Sequence, residues 1–156
     1  MTRSLPARAV ALGCIAGVCL LLGACGGSSG RLSRAEFVSR ANAACKHAND
    51  RLRTLKPART FKELVPAAEH LRAIGDELYA RLRPLKPPSE RRKKFDRFLS
   101  DLRAGVDKFS ELRSAAQRGD RASAQSVLNL IAANPSGQEA QDLGLTECAK
   151  NVTAQR

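Results

Sequence analysis

Phe95, Phe98, Leu99, Leu102, Val106, Phe109, Leu112 and Ala116 recur every three or four residues. That period puts all eight on one face of a single long helix. The stripe holds three of the five phenylalanines in the chain, so it is expected to carry the centre of the core. A face of this length has to be covered, and the sequence supplies further stripes of the same period. Ser33-Arg34-Ala35-Glu36 fits a capping box, with Phe37, Ala41, Ala44, Cys45, Ala48, Leu52 and Leu55 following and Pro57 ending the run. Thr60-Phe61-Lys62-Glu63 is a second capping box, ahead of Leu64, Ala67, Leu71, Ile74, Leu78, Leu82 and Leu85. Pro66 shifts the expected start of regular helix towards Val65, and Pro84, Pro87 and Pro88 end it.

The Phe-rich helix is expected to start at Ser89 and to stop at Gly119. Asp120 then caps a fourth helix over Arg121 to Ala133, with Ala124, Val127, Leu128 and Ile131 inward. Asn134-Pro135 breaks it. Ser136-Gly137-Gln138-Glu139 reads as another capping box, opening a short helix to about Leu143, after which Leu145 and Cys148 lead the tail back to Cys45. A chain rich in Ala, Leu and Arg, with no Trp and one Tyr, favours helix throughout. Short connections favour antiparallel neighbours. The expected fold is all-α: an up-down antiparallel bundle of four main helices plus a short C-terminal helix, over residues 33–150, with 151–156 as a tail.

The N-terminal residues follow different rules. Arg3 and Arg8 precede an apolar run of 14 residues, Ala9 to Leu22. That run is short for a membrane span, which takes about 20 residues, and suits a signal peptide. It closes on Leu22-Gly23-Ala24-Cys25, which resembles the lipobox of bacterial lipoproteins. The resemblance implies that residues 1–24 are removed and that Cys25 carries the lipid. The domain is then expected on the outer face of the cell membrane, outside the cytoplasm. An ordinary secretory signal with a chance cysteine is the alternative. Removing residues 1–24, which include only Arg3 and Arg8 as charges, takes the formal charge from +12 to about +10 and leaves 132 residues, enough for one domain. Residues 25–32 form the lipid site and a tether. Its Gly26-Gly27-Ser28-Ser29-Gly30 run spans about 12 Å on average and about 17 Å at most.

Of the five cysteines, Cys14 and Cys19 leave with the signal. Cys45 and Cys148 remain as a pair in an oxidising compartment, where a disulfide is the default. A loop on the order of 100 residues closed this way is worth roughly 4–5 kcal/mol in the chain-entropy model. Reactive thiols or metal ligands are the alternative, although neither cysteine has another close by in sequence.

Ala41-Asn42-Ala43-Ala44-Cys45, Leu85-Lys86-Pro87-Pro88, Arg118-Gly119-Asp120 and Leu143-Gly144-Leu145-Thr146-Glu147-Cys148 occur together. In this combination the chain resembles a family of small secreted or lipid-anchored helical proteins of actinobacteria. The resemblance spans nearly the whole mature chain. It implies a Cys45–Cys148 bridge and an extracytoplasmic place, and it implies no reaction.

No catalytic motif is legible. His47 and His70 lack the companions a zinc site needs. There are no paired Glu-x-x-His motifs for a di-iron bundle, no Cys-x-x-Cys-His for haem and no Gly-x-Ser-x-Gly elbow. Neither metal nor cofactor is expected. Glu69, Asp76 and Glu77 read as a solvated face pairing with Arg72 and Arg81. Asn151-Val152-Thr153 matches a glycosylation acceptor only by chance. The distinctive charge feature is Arg81, Arg83, Lys86, Arg91, Arg92, Lys93, Lys94 and Arg97, set against Glu90 and Asp96. Four cations opening a helix oppose its macrodipole, at about 0.3–1 kcal/mol each before screening. A solvated basic rim is the bland account. The sharper one comes from geometry. A first helix about 30 Å long runs away from the tether and the second returns. The basic corner then lies beside Arg31 and Arg34, near anionic headgroups, where each cation adds up to about 1 kcal/mol. A non-enzymatic, lipid-anchored module is therefore expected, with anionic lipid or an envelope polymer as partner and no nucleic acid. The alternative is a carrier with a cavity lined by Phe95, Phe98, Leu102 and Ile74.

Overall fold

The computed structural model describes residues 30–153, with side chains as far as Lys150. The proposed signal, Cys25 and most of the tether lie outside the described residues. Six α-helices follow in order: α1 Arg34–Thr54, α2 Phe61–Leu82, α3 Arg92–Gln117, α4 Arg121–Ala132, α5 Ser136–Asp142 and α6 Thr146–Thr153. A 3₁₀ turn over Ser89–Arg91 leads into α3. No strand occurs among the described residues. The fold is all-α, closed by one disulfide between Cys45 and Cys148, whose Cα atoms are 5.0 Å apart.

Local chemistry fixes the first two helices. In both capping boxes the hydroxyl of Ser33 or Thr60 accepts from the N3 amide, while Glu36 or Glu63 accepts from the cap's own N–H. The box at Thr60 secures the first turn so well that α2 begins at Phe61 and runs through Pro66, not from near Val65. Asp120 caps α4 through the amide of Ser123, and Gly119 turns the chain at φ +71°. The box expected at Ser136 does not form. Asn134 Oδ1 accepts from the Ser136 amide at 3.0 Å, so the side chain ahead of Pro135 does the capping. The tail is helical as well: α6 begins after Gly144, at φ +74°.

The core divides along the bundle axis. One cluster joins Phe37, Ala41, Ala44 and Cys45 of α1, Leu82, Phe95, Phe98, Ala140, Leu143, Leu145 and Ala149. The other joins Ala68, Leu112, Ala115, Ala124 and Val127. α3 packs along α2 and also holds α4 and α5, while α6 lies on α1 and α5. α4 thus completes one half of the bundle, and α5 with α6 completes the other. Because α4 sits at an edge, Leu128 is 38% exposed instead of inward as its spacing suggests, and Leu130 is 51% exposed. At the waist α2 and α3 approach closely. A Cβ placed on Gly75 would lie 2.5 Å from Val106 Cγ2.

Candidate functional site

The α2–α3 corner is joined directly to the start of the domain. The Leu32 amide donates to Lys86 O at 2.9 Å, and Arg31 Nη1 donates to Pro87 O at 3.3 Å. Leu32 and Leu85 pack on the same core cluster, and Pro87 is buried. The point at which the chain enters the fold and the basic run therefore share one end of the bundle. Between them lies a hollow of about 300 Å³ lined by Arg31, Leu85, Lys86, Pro87, Arg92 and Asp96.

The eight cations of the run divide by partner. Arg81 pairs with Glu77 at 2.8 Å, and Arg92 Nε lies 3.7 Å from Asp96. Arg97 Nε reaches Glu139 at 4.0 Å. Arg91 donates to Leu143 O at 2.8 Å, satisfying a carbonyl at the C-terminal end of α5. Arg83, Lys86, Lys93 and Lys94 are exposed and make no side-chain hydrogen bond or ion pair with any described residue. The first turn of α3 contains no acidic residue, and no side chain caps it. The 3₁₀ turn supplies acceptors for the first amides, Arg92 N–H donating to Ser89 O, while the Lys93 and Lys94 charges at this end favour a nearby anion.

Asp76 and Glu77 pair with Arg72 and Arg81 as the sequence suggests, whereas Glu69 reaches across to Arg113 of α3 instead. Arg72 Nε lies 3.6 Å from Asp76, while Arg103 of α3 donates to Asp76 at 2.7 Å and to Asp107. Arg51 of α1 pairs with Glu77, whose carboxyl is held below the usual carboxylate range chiefly by Arg81. Glu69 is 4.0 Å from Arg113. His47 Nδ1 is 3.7 Å from Glu77, and His70 is exposed. Among the described residues no cluster of three or more His, Cys, Asp or Glu side chains is placed to hold a metal.

Arg31, expected beside the corner, lines its hollow. Other working residues were not given these roles from sequence. Asn42 Oδ1 accepts from the Glu147 amide at 3.0 Å, and buried Asn49 donates to Glu147 O at 2.8 Å. With Cys45 between them on one face of α1, these asparagines clasp the start of α6. The spacing of Asn42, Cys45 and Asn49 was the available signal. Glu139 Oε2 is buried and meets no N–H or hydroxyl donor. Burial first, then the neighbouring Asp101 carboxyl, pushes the Glu139 pKa up. A hydrogen bond between those two carboxyls requires a proton on one of them.

Fold and site together define a small disulfide-closed helical bundle with a basic corner at the end where the chain enters it. Comparison with family models, curated proteins and solved structures finds no match to this chain.

Proposed function

We propose that the protein is a non-enzymatic, lipid-anchored module of the cell envelope whose basic corner rests on an anionic membrane surface. The observation that carries this reading is the Leu32–Lys86 backbone bond, which sets the corner beside the start of the domain. If Cys25 is the lipid site, only a few residues separate the corner from the bilayer. Lys86, Lys93, Lys94 and Arg83 then stand within reach of phosphate headgroups, and the hollow beside Arg31 and Arg92 is large enough to admit one. Each cation contributes about 1 kcal/mol near such a surface, falling off within a Debye length of about 10 Å at 0.1 M salt. The likeness to small secreted helical proteins of actinobacteria agrees with an extracytoplasmic place.

The carrier reading fares less well on packing. Phe95 meets Phe37 edge-on at 4.9 Å and Phe98 at 6.0 Å, and Ile74 is buried. The three phenylalanine rings fill one another's space.

The test is co-sedimentation of Gly30–Arg156, which contains every contact of the described core, with anionic and neutral vesicles at two salt concentrations. Binding is expected to anionic vesicles only, and to weaken with salt. Equal binding to both vesicle types, or none to either, would overturn the proposal.

A further inference from the structure

A second feature lies at the opposite end of the bundle and is independent of the basic corner. There the end of α1 and the start of α2 flank an open, mainly apolar hollow of about 950 Å³, near the upper end of the range for small-molecule sites. Half-buried Leu52, Leu55, Leu64, Ala67 and Leu71 line it. Among the described residues its walls come from the last turn of α1, the α1–α2 connection and the first turns of α2. From Glu63 to Leu71 the α2 wall runs for roughly 12 Å.

The rim carries Lys56, Arg59, Glu63 and His70. Glu63 is engaged, its Oε2 accepting from the Arg59 amide at 2.8 Å and the Thr60 amide at 3.3 Å. The side chains of Lys56 and Arg59 are exposed and make no ion pair or side-chain hydrogen bond with any described residue. Lys56 and Arg59 against Glu63 give these three side chains a formal excess of one positive charge. That balance suits a monoanionic headgroup above an apolar chain. A dianionic phosphate would crowd Glu63.

We propose that this hollow binds a fatty acid, its alkyl chain laid along Leu52, Leu64 and Leu71 and its carboxylate between Lys56 and Arg59. Calorimetric titration of Gly30–Arg156 with octanoate, decanoate and dodecanoate below their micelle concentrations tests it. Saturable one-to-one binding is expected, tightening about fourfold per methylene. Dodecyl maltoside, neutral and of equal chain length, is expected to bind roughly fivefold more weakly than dodecanoate. Lys56→Glu with Arg59→Glu removes that advantage and leaves maltoside binding unchanged. Ala67→Trp, which fills the hollow, weakens both ligands, and Lys93→Ala with Lys94→Ala affects neither. Chain-length independence, or full dodecanoate affinity in the charge-reversed variant, would overturn the proposal. So would tighter binding of dodecyl phosphate than of dodecanoate, or a dimer that dodecanoate does not dissociate, which would make a second copy the occupant.

Discussion

Arg91 and Lys93 stand two residues apart in one basic run, yet their surroundings give them different work. Arg91 is half-buried and satisfies Leu143 O, whereas the Lys93 and Lys94 side chains are exposed and pair with no described residue. Arg91→Ala is expected to cost about 1–2 kcal/mol in urea unfolding, the worth of a charge-assisted bond, with little change in vesicle binding. Lys93→Ala with Lys94→Ala is expected to do the reverse: unchanged stability and a roughly thirtyfold loss of anionic-vesicle partitioning at low salt. Glu139 makes a second residue-scale prediction. Its neighbours are Asp101 and Arg97 from α3 and Asp142 from α5, and of these only Arg97 favours the charged form. A carboxyl whose folded pKa is raised contributes stability that is complete below its unfolded value, near 4.5, and is lost as pH rises through the folded value. Thermal unfolding across that window is expected to show the loss. Glu139→Gln, which stays neutral and offers an amide donor to Asp101, is expected to flatten it and to raise the midpoint at neutral pH.

At the scale of elements, the waist between α2 and α3 is the tightest point. Gly75→Ala gains helix propensity of about 1 kcal/mol but drives its methyl into Val106. Overpacking of this kind costs about 1–3 kcal/mol, so a net loss of about 1 kcal/mol is expected by urea unfolding. Val106→Ala in the same chain should recover part of it. The helices were legible in the sequence wherever a cap and a stripe agreed, as at Ser33, Thr60 and Asp120. They were misread where the deciding contact was not local. Ser136 lost its cap to Asn134, whose amide also donates to Asp101 O across to α3 at 2.8 Å. α6 carries too short a stripe to announce itself, and two asparagines of α1 hold its first turn. Leu128 has the right period for burial, but no described element covers the edge on which α4 sits.

For the molecule as a whole, the Cys45–Cys148 bridge ties α6 to α1, across most of the domain's sequence. Replacing both cysteines by alanine is expected to lower stability by about 4 kcal/mol, read as an earlier urea midpoint. The pairing was open to sequence reasoning because two cysteines remained after the others were assigned. The sorting of the basic run was not, since which cations find carbonyls or carboxylates depends on how α3 and α5 meet. Both ends of the bundle are basic. Arg83, Lys86, Lys93 and Lys94 lie at the end where the chain enters the fold, and Lys56, Arg59, Arg118 and Arg121 are exposed at the other. Membrane docking through the corner therefore demands more than net charge. The direct measurement is vesicle flotation of two variants of equal total charge, each with all four cations of one end changed to glutamate. Reversal at Arg83, Lys86, Lys93 and Lys94 is predicted to reduce anionic-vesicle binding by at least a thousandfold at low salt, and reversal at the far end to leave most of it. Equal losses from the two ends would contradict docking through the corner.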